Sequence, residues 1–199
     1  MTLILNSAEI KECVQFNAEL IPIIEDAFKS LSLGKTVMPP ILRLDIEKYH
    51  GESDVKAAYI EGLDSFAVKV ASGFFNNPKL GLPSSNGLMI LLDSQTGVIK
   101  SVLLDKGYLT DVRTAIAGAI ASKYLSNPES STVAIIGTGI QARMQLEALT
   151  LVRDIKNVNV WSRDIKKTHA YIENVTKKID LNFTAFDNTS EVVNNADIL

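Results

Sequence analysis

The stretch STVAIIGTGIQARMQLEAL, from Ser131 to Leu149, decides the fold of this chain. A short apolar run meets Gly-Thr-Gly, and a segment with the periodicity of an amphipathic helix follows at once. Gly137, Gly139 and Ala142 form the pattern G-x-G-x-x-A at the junction of the two. This pattern predicts either a phosphate-binding loop for a dinucleotide or a tight strand-to-helix turn without a ligand.

The phosphate-binding interpretation has a physical reason at each small residue. Gly137 permits the tight turn, Gly139 lets the backbone approach a pyrophosphate, and Ala142 allows close packing of helix on strand. The free N–H groups at the helix start then face the phosphates with a partial positive charge. We therefore predict a cofactor-binding loop made by Gly137, Thr138, Gly139, Ile140 and Gln141.

The residues from 128 to 199 alternate between strand-like and helix-like patterns. The predicted strands STVAIIG, NVNVWS, NFTAFD and ADIL are separated by helix-like segments. Such alternation predicts a parallel sheet with helices on its faces, a Rossmann-type α/β domain. Because the sequence stops inside the fourth strand, we expect the C-terminal part of this domain to be incomplete, as in a fragment or an abbreviated domain.

The residues from 1 to 127 follow a different pattern. Asn6 or Ser7 is a candidate helix cap, Pro22 separates two predicted short helices, and Gly34 is a predicted helix stop. The runs ILRLDI, AAYIEG, FAVKVAS and GLMILLDSQTGVIKSVLLD predict strands, the last of them a hairpin. This part is predicted to be an α+β domain for substrate binding and dimerisation.

One more helix precedes the predicted domain boundary. TDVRTAIAGAIASKYL is rich in Ala and Gly, and we expect Thr110 or Asp111 to cap it. The segment NPES then ends the helix at Asn127. The predicted domains are therefore 1–127 and 128–199.

Bulk properties exclude several classes of protein. The net charge is −3, and no basic stripe of a nucleic-acid binder is present. No apolar run reaches the roughly 20 residues that span a bilayer, and no secretory signal is recognisable, so we expect a cytoplasmic protein. The single Cys13 excludes an internal disulfide, and His50 and His169 are too isolated to predict a metal site.

The end of the second predicted Rossmann strand bears on the choice of cofactor. An NAD site usually places Asp or Glu there to bind the ribose 2′-hydroxyl. Here the uncharged Ser162 is followed by Arg163, a pair suited to a 2′-phosphate. The sequence therefore leans toward NADP and leaves NAD open. We interpret Asp164 as the cap of the next helix.

Four spaced segments resemble the ornithine cyclodeaminase/mu-crystallin family. They are PPILRLDI, FAVKVASGFFNNPKLGLPSSNG, GYLTDVRTAIAGAIASKYL and GTGIQARMQLEAL, spaced between residues 39 and 149, and the resemblance covers nearly the whole chain. KVASGFFNNPKLGLPS and GYLTDVRTA are most similar to ectoine-utilisation and iminosuccinate-reductase-like members. The resemblance implies a homodimeric NAD(P)-dependent enzyme that acts on amino acids or their imines at a site between the two parts.

The resemblance also implies roles for individual residues. Arg43 and Arg113 match substrate-binding arginines, whose planar forks suit a carboxylate. Lys69 matches a catalytic lysine that binds the substrate and moves a proton. Ser84, Arg113 and Thr114 match positions near the cofactor. Arg43, Lys69 and Arg113 each have a structural alternative as a solvent-exposed or ion-paired residue.

Three functions stay open at this point. The first is reduction of an α-imino acid to an amino acid, or the reverse dehydrogenase reaction. The second is ornithine cyclodeamination with catalytic NAD⁺, and the third is a non-catalytic ligand-binding dimer. An acidic residue that handles the substrate amino group in the family falls beyond Leu199, which leaves this part of the site outside the sequence.

Overall fold

The computed structural model describes residues 1–199 and contains ten strands and six α-helices. The strands are β1 (Leu3–Asn6), β2 (Thr36–Val37), β3 (Leu42–Ile46), β4 (Gly51–Ile60), β5 (Ser65–Phe74), β6 (Ser85–Asp93), β7 (Ile99–Leu104), β8 (Thr132–Ile136), β9 (Asn157–Trp161) and β10 (Asn182–Phe186). The helices are α1 (Ser7–Cys13), α2 (Leu20–Ser32), α3 (Tyr108–Leu125), α4 (Ile140–Leu149), α5 (Ile165–Val175) and α6 (Thr189–Val193). No helix combines the length and the hydrophobicity that a bilayer crossing requires.

The chain divides into two compact units. The first unit comprises residues 1–15 and 26–110, and the second comprises residues 16–25 and 111–199. Helix α3 therefore contributes most of its length to the second unit. These units are defined by compactness, whereas the boundary expected at residue 127 separates domains of different function. That boundary stays a prediction.

A seven-stranded sheet forms the first unit, in the order β1-β7-β6-β5-β4-β2 with β3 also paired to β4. All pairs are antiparallel except β1 with β7. The predicted hairpin between β6 and β7 is confirmed, and the Asp93 carboxylate accepts the backbone N–H groups of Gln95 and Thr96 in its turn. Strand β1 was not predicted, because its pairing partner lies about a hundred residues away in the chain.

A three-stranded parallel sheet in the order β10-β9-β8 forms the centre of the second unit. Ile198 forms a parallel bridge with Val133 on the free side of β8, as expected for a fourth strand. The Asp197 carboxylate fixes this segment by accepting the N–H groups of Ser131 and Thr132, and these hydrogen bonds lower its pKa. The core comprises Val133, Ile135, Leu146, Leu149, Ile155, Val158, Val160, Tyr171 and Val175.

Side-chain caps begin α1, α5 and α6, whereas α4 has no side-chain cap. Asn6 caps α1 through a capping box with Glu9. The predicted break at Pro22 is wrong, because Pro22 lies in the first turn of α2, where no N–H is needed, and residues 14–19 separate the two helices. The prediction that Thr110 or Asp111 caps α3 is wrong. The helix begins at Tyr108, because the Asp105 carboxylate accepts the N–H of Leu109 at 2.8 Å.

Candidate functional site

The glycine loop, residues 137–141, connects β8 to α4. Gly137 has a φ of +117°, which L-residues rarely adopt, and its N–H donates to the Trp161 carbonyl at 2.8 Å. Gly139 is the N-cap of α4, and no side chain caps this helix. A Cβ added at Gly137 or Gly139 would have no atom within 4 Å. The loop therefore combines uncapped helix N–H groups with open space, which fits the phosphates of a dinucleotide.

A cleft of about 460 Å³ opens beside this loop, at the carboxyl ends of β8 and β9. This loop cleft is lined by residues 136–139, 161–164 and 167. The carboxyl edge of a parallel sheet is where ligands bind in open α/β folds. The residues predicted to bind a cofactor at positions 137–139, 162 and 163 are thus brought together in one cleft.

Two side chains just after β9, those of Ser162 and Asp164, form hydrogen bonds with the first residues of α5 and the residue before them. The Ser162 hydroxyl donates to the Asp164 carbonyl at 2.8 Å and lies 2.9 Å from the Thr168 hydroxyl oxygen. The Asp164 carboxylate accepts the N–H of Lys166 at 3.0 Å, which confirms that Asp164 is a helix cap. Arg163 is exposed and forms no ion pair.

Helix α3 carries the remaining predicted residues of the second unit. The Gln141 amide donates to the Asp111 carboxylate at 2.9 Å, so its side chain joins α4 to α3 and only its backbone faces the loop. Arg113 is exposed and forms no ion pair, and Thr114 is half-buried. The guanidinium of Arg113 is therefore available to an anionic ligand.

In the first unit, the cross-strand register places charged residues on one face of the sheet. Arg43 lies opposite Asp54, and Lys56 lies opposite Lys69. Since directly opposed residues and residues two apart share a face, Arg43, Glu52, Asp54, Lys56 and Lys69 form one surface, here termed the charged face. The strand spacings put the Cα atoms of Arg43 and Lys69 about 12 Å apart.

Carboxylates already surround Arg43. Its guanidinium donates to Asp45 at 3.0 Å and to Glu52, and lies 3.9 Å from Asp54. Asp45 and then Glu52 raise the pKa of Arg43, so its positive charge persists over the whole working pH range. Any ligand carboxylate must share or replace these partners.

The other predicted residues of the first unit lie on or beside β5 and β6. The Lys69 ammonium is half-buried and donates to the Thr110 hydroxyl at 3.5 Å. Ser84 immediately precedes β6, and its carbonyl accepts the N–H of Phe74 at 2.8 Å. The structure therefore brings Lys69 to the same face as Arg43.

Asp54 is a candidate that the sequence interpretation missed. Its Oδ1 is buried without a hydrogen-bond partner, while its Oδ2 pairs with Lys56 at 3.0 Å. This oxygen lies 3.9 Å from the Arg43 guanidinium, so Asp54 balances the charge of Arg43 and is a candidate for positioning it. The alternation of Glu52, Asp54 and Lys56 was the available signal, but their alignment with Arg43 depends on a strand register that the sequence does not show.

A family profile described as "Ornithine cyclodeaminase/mu-crystallin family" matches residues 1–199. The chain belongs to this family. The resemblance drawn from the four motifs is confirmed, and the family membership explains why a Rossmann-type unit and an α+β unit occur together.

Relatives in sequence and structure agree with this assignment. An uncharacterized cyclodeaminase of Sinorhizobium fredii is 49% identical over 197 residues, which are 98% of this chain and 60% of that protein. The Thermococcus litoralis Delta(1)-pyrroline-2-carboxylate reductase, in complex with NADH and L-proline, has a TM-score of 0.92 at 31% identity over 99% of this chain and 61% of that one. An archaeal alanine dehydrogenase dimer with bound NAD has a TM-score of 0.84 at 33% identity, over 93% and 56% of the two chains.

These neighbours confirm the predicted fold class, a Rossmann-type sheet with an α+β unit. They also bind NAD or NADH, in keeping with the fit of the glycine loop to a dinucleotide. The chain spans about 60% of the length of the relatives it matches.

Proposed function

We propose that the protein is an NAD(P)-dependent oxidoreductase that reduces an α-imino acid to an amino acid, or runs the reverse dehydrogenase reaction. The observation that carries the proposal is the glycine loop, where uncapped helix N–H groups face open space at Gly137 and Gly139. Membership of the ornithine cyclodeaminase/mu-crystallin family supports a ketimine or amino acid as the substrate.

Three cationic residues act on the substrate in this proposal. Arg43 and Arg113 bind the substrate carboxylate through paired N–H donors. The Lys69 ammonium binds the substrate and donates a proton to its imine nitrogen, or takes one from the amine in reverse. The nicotinamide, when bound, supplies or accepts the hydride.

The cofactor is held mainly by backbone groups. The N–H groups of residues 137–141 bind the pyrophosphate, while Ser84, Arg113 and Thr114 lie near the cofactor, as the family resemblance implies. We favour NADP over NAD, since the Asp164 carboxylate is used as a helix cap and is withdrawn from the ribose 2′-hydroxyl.

A homodimer in the cytoplasm is the proposed working form, with residues 1–127 as its substrate and dimerisation domain. The support is the second face of the large sheet, opposite the charged face. Ile4, Leu42 and Leu44 belong to this apolar face and are 55–64% exposed. Large apolar side chains on one continuous sheet face are typical of a surface that a partner covers.

The test is an assay that uses a panel of 2-oxo acids with ammonia, and cyclic imino acids, while NADH and NADPH oxidation is followed. We expect oxidation with at least one imino acid and none without substrate. A protein that binds neither dinucleotide and reduces no imino acid would contradict the proposal.

Cyclodeamination is the second candidate, favoured by the 49% identity to the Sinorhizobium fredii cyclodeaminase. It would release ammonia from ornithine without a net change in nicotinamide absorbance, whereas reduction changes that absorbance stoichiometrically. Tight binding of dinucleotide and amino acid without turnover would instead identify a ligand-binding dimer.

A further inference from the structure

We propose that Lys167 is a specificity-determining residue of the loop cleft. Together with Arg163 it binds the 2′-phosphate of NADP(H), so that the protein selects the phosphorylated dinucleotide. This inference rests on the proposed function, because it requires that a dinucleotide occupy the glycine loop.

The placement of Lys167 is the first observation. It lines the loop cleft and also a second cleft of about 640 Å³ between α4 and α5, here termed the helix cleft. The two clefts share only Thr138, Gly139 and Lys167. The side chains of Arg143, Lys177 and Lys178 also line the helix cleft, and no carboxylate does. Lys167 thus lies between the loop cleft, where an anion would bind, and the helix cleft, whose charged side chains are all cationic.

The charges at the start of α5 are the second observation. A helix N-terminus disfavours cations, yet the first turn of α5 contains Lys166 and Lys167, and the N-cap Asp164 is the one acidic residue at this helix start. Arg163 lies just before this turn, and neither it nor Lys167 has a carboxylate partner. A single capping carboxylate faces three cationic side chains here, and a bound dianion would balance the remaining positive charge.

The third observation concerns the other polar side chains of the loop cleft, which could repel a phosphate or bind it in place of Lys167. Asp164 is the only acidic residue that lines it, and its carboxylate is held by the Lys166 N–H. The Ser162 hydroxyl has one proton, which is used on the Asp164 carbonyl. Ser162 therefore leaves room for a 2′-phosphate without donating to it. The side-chain donors that remain at this end of the cleft are Arg163 and Lys167.

A direct test uses ligands that lack the nicotinamide. The single tryptophan, Trp161, lines the loop cleft and reports binding through its fluorescence. The 199-residue chain is titrated with 2′-phospho-ADP-ribose and with ADP-ribose. We expect the 2′-phospho ligand to bind at least about tenfold more tightly, as charge-assisted hydrogen bonds to a phosphate should produce.

The variant Lys167→Gln identifies the residue, and Lys166→Gln is its matched control. Both remove one cation from the same exposed turn, but only Lys167 lines the cleft. We expect Lys167→Gln to weaken binding of 2′-phospho-ADP-ribose about 10- to 100-fold and to leave ADP-ribose binding within about twofold. Lys166→Gln should leave both unchanged. The preference should also shrink at high salt and below about pH 6, where the phosphate gains a proton.

The outcomes distinguish failure of the proposed role of Lys167 from failure of the proposed dinucleotide site. Equal binding of both ligands, or equal effects of the two variants, would overturn the role of Lys167 and leave the dinucleotide site intact. Absence of binding by either ligand would overturn the proposed function as well.

Discussion

At the glycine loop, no protein side chain covers the backbone of Gly137 and Gly139, whereas at the charged face the charged side chains are in contact with one another. A Cβ at Gly137 or Gly139 would meet no atom within 4 Å. Arg43, by contrast, is in contact with Asp45, Glu52 and Asp54. Backbone N–H groups carry no net charge and need no counter-ion, whereas clustered cationic side chains are balanced by nearby carboxylates with which an anionic ligand would compete.

The cost of this second arrangement is small. Arg43 is half-exposed, and exposed ion pairs contribute little to stability because solvent screens them. A substrate carboxylate can therefore exchange with Glu52 or Asp45 at little expense. The four predictions below test the difference between the two regions, and they run from the largest expected effect to the smallest.

The first prediction concerns Lys69 and its cross-strand neighbour. Lys69→Gln should lower kcat for imino-acid reduction by about 10²- to 10⁴-fold, because it removes the proposed proton donor. Lys56→Gln is the control, since Lys56 lies directly opposite on the same face but is paired with Asp54. The measurement is kcat of both variants in steady-state assays, and an equal decrease of kcat in the two would refute a distinct role for Lys69.

The second prediction concerns the uncovered backbone at Gly139 of the glycine loop. Gly139→Val should weaken dinucleotide binding by at least about 100-fold, because its side chain occupies the place of the pyrophosphate. Its φ of −79° is open to any residue, so we expect a stability loss of no more than about 1 kcal/mol from the poorer cap. Gly139→Ser keeps a good cap with a smaller side chain and should bind with intermediate affinity. Unchanged binding by the Val variant, measured by titration, would mean that the loop holds no pyrophosphate.

The third prediction concerns the counter-charges of Arg43. Glu52→Gln should lower KM for the imino-acid substrate about two- to fivefold, because a competing carboxylate leaves the guanidinium and exposed pairs are weak. Glu47→Gln removes the same charge from the exposed turn that follows β3 and should leave KM unchanged. If the two variants behave alike, Arg43 has only a structural role.

The fourth prediction concerns the support beneath the glycine loop. The buried Tyr171 hydroxyl donates to the Ala142 carbonyl at 3.1 Å, and burial raises the pKa of Tyr171 to about 12. Tyr171→Phe should reduce the free energy of unfolding by about 1 kcal/mol at neutral pH and leave dinucleotide binding unchanged.

The pH dependence of this variant follows from the raised pKa. Between about pH 10, where an unfolded tyrosine ionises, and pH 12, the folded state keeps a proton that the unfolded state loses. The wild-type free energy of unfolding therefore falls as pH rises through this range, and Tyr171→Phe should lack this component. Denaturant melts at pH 7, 10 and 11 provide the comparison, and parallel pH profiles would contradict the assigned burial.

Sequence and structure agree best where the determinants are local. The G-x-G-x-x-A turn, the capping roles of Asn6 and Asp164, and the hairpin turn at Asp93 each depend on residues within a few positions of one another. The start of α3 was missed by a few residues because Asp105 outcompetes Thr110 and Asp111 as the cap. Strand β1 was missed altogether, since only its distant partner stabilises it.

The amino-acid sequence by itself determined the alternation of strands and helices, the glycine turn between β8 and α4, and the family, because hydrophobic period and glycine spacing act over short distances. The tertiary structure alone decided that Asp54 and Lys56 share a face with Arg43 and Lys69, and that Lys167 rather than the Ser162 hydroxyl offers a donor to the loop cleft. Strand register and side-chain hydrogen bonds fix these relations. Both depend on which distant segments pack together, and no local pattern encodes that choice.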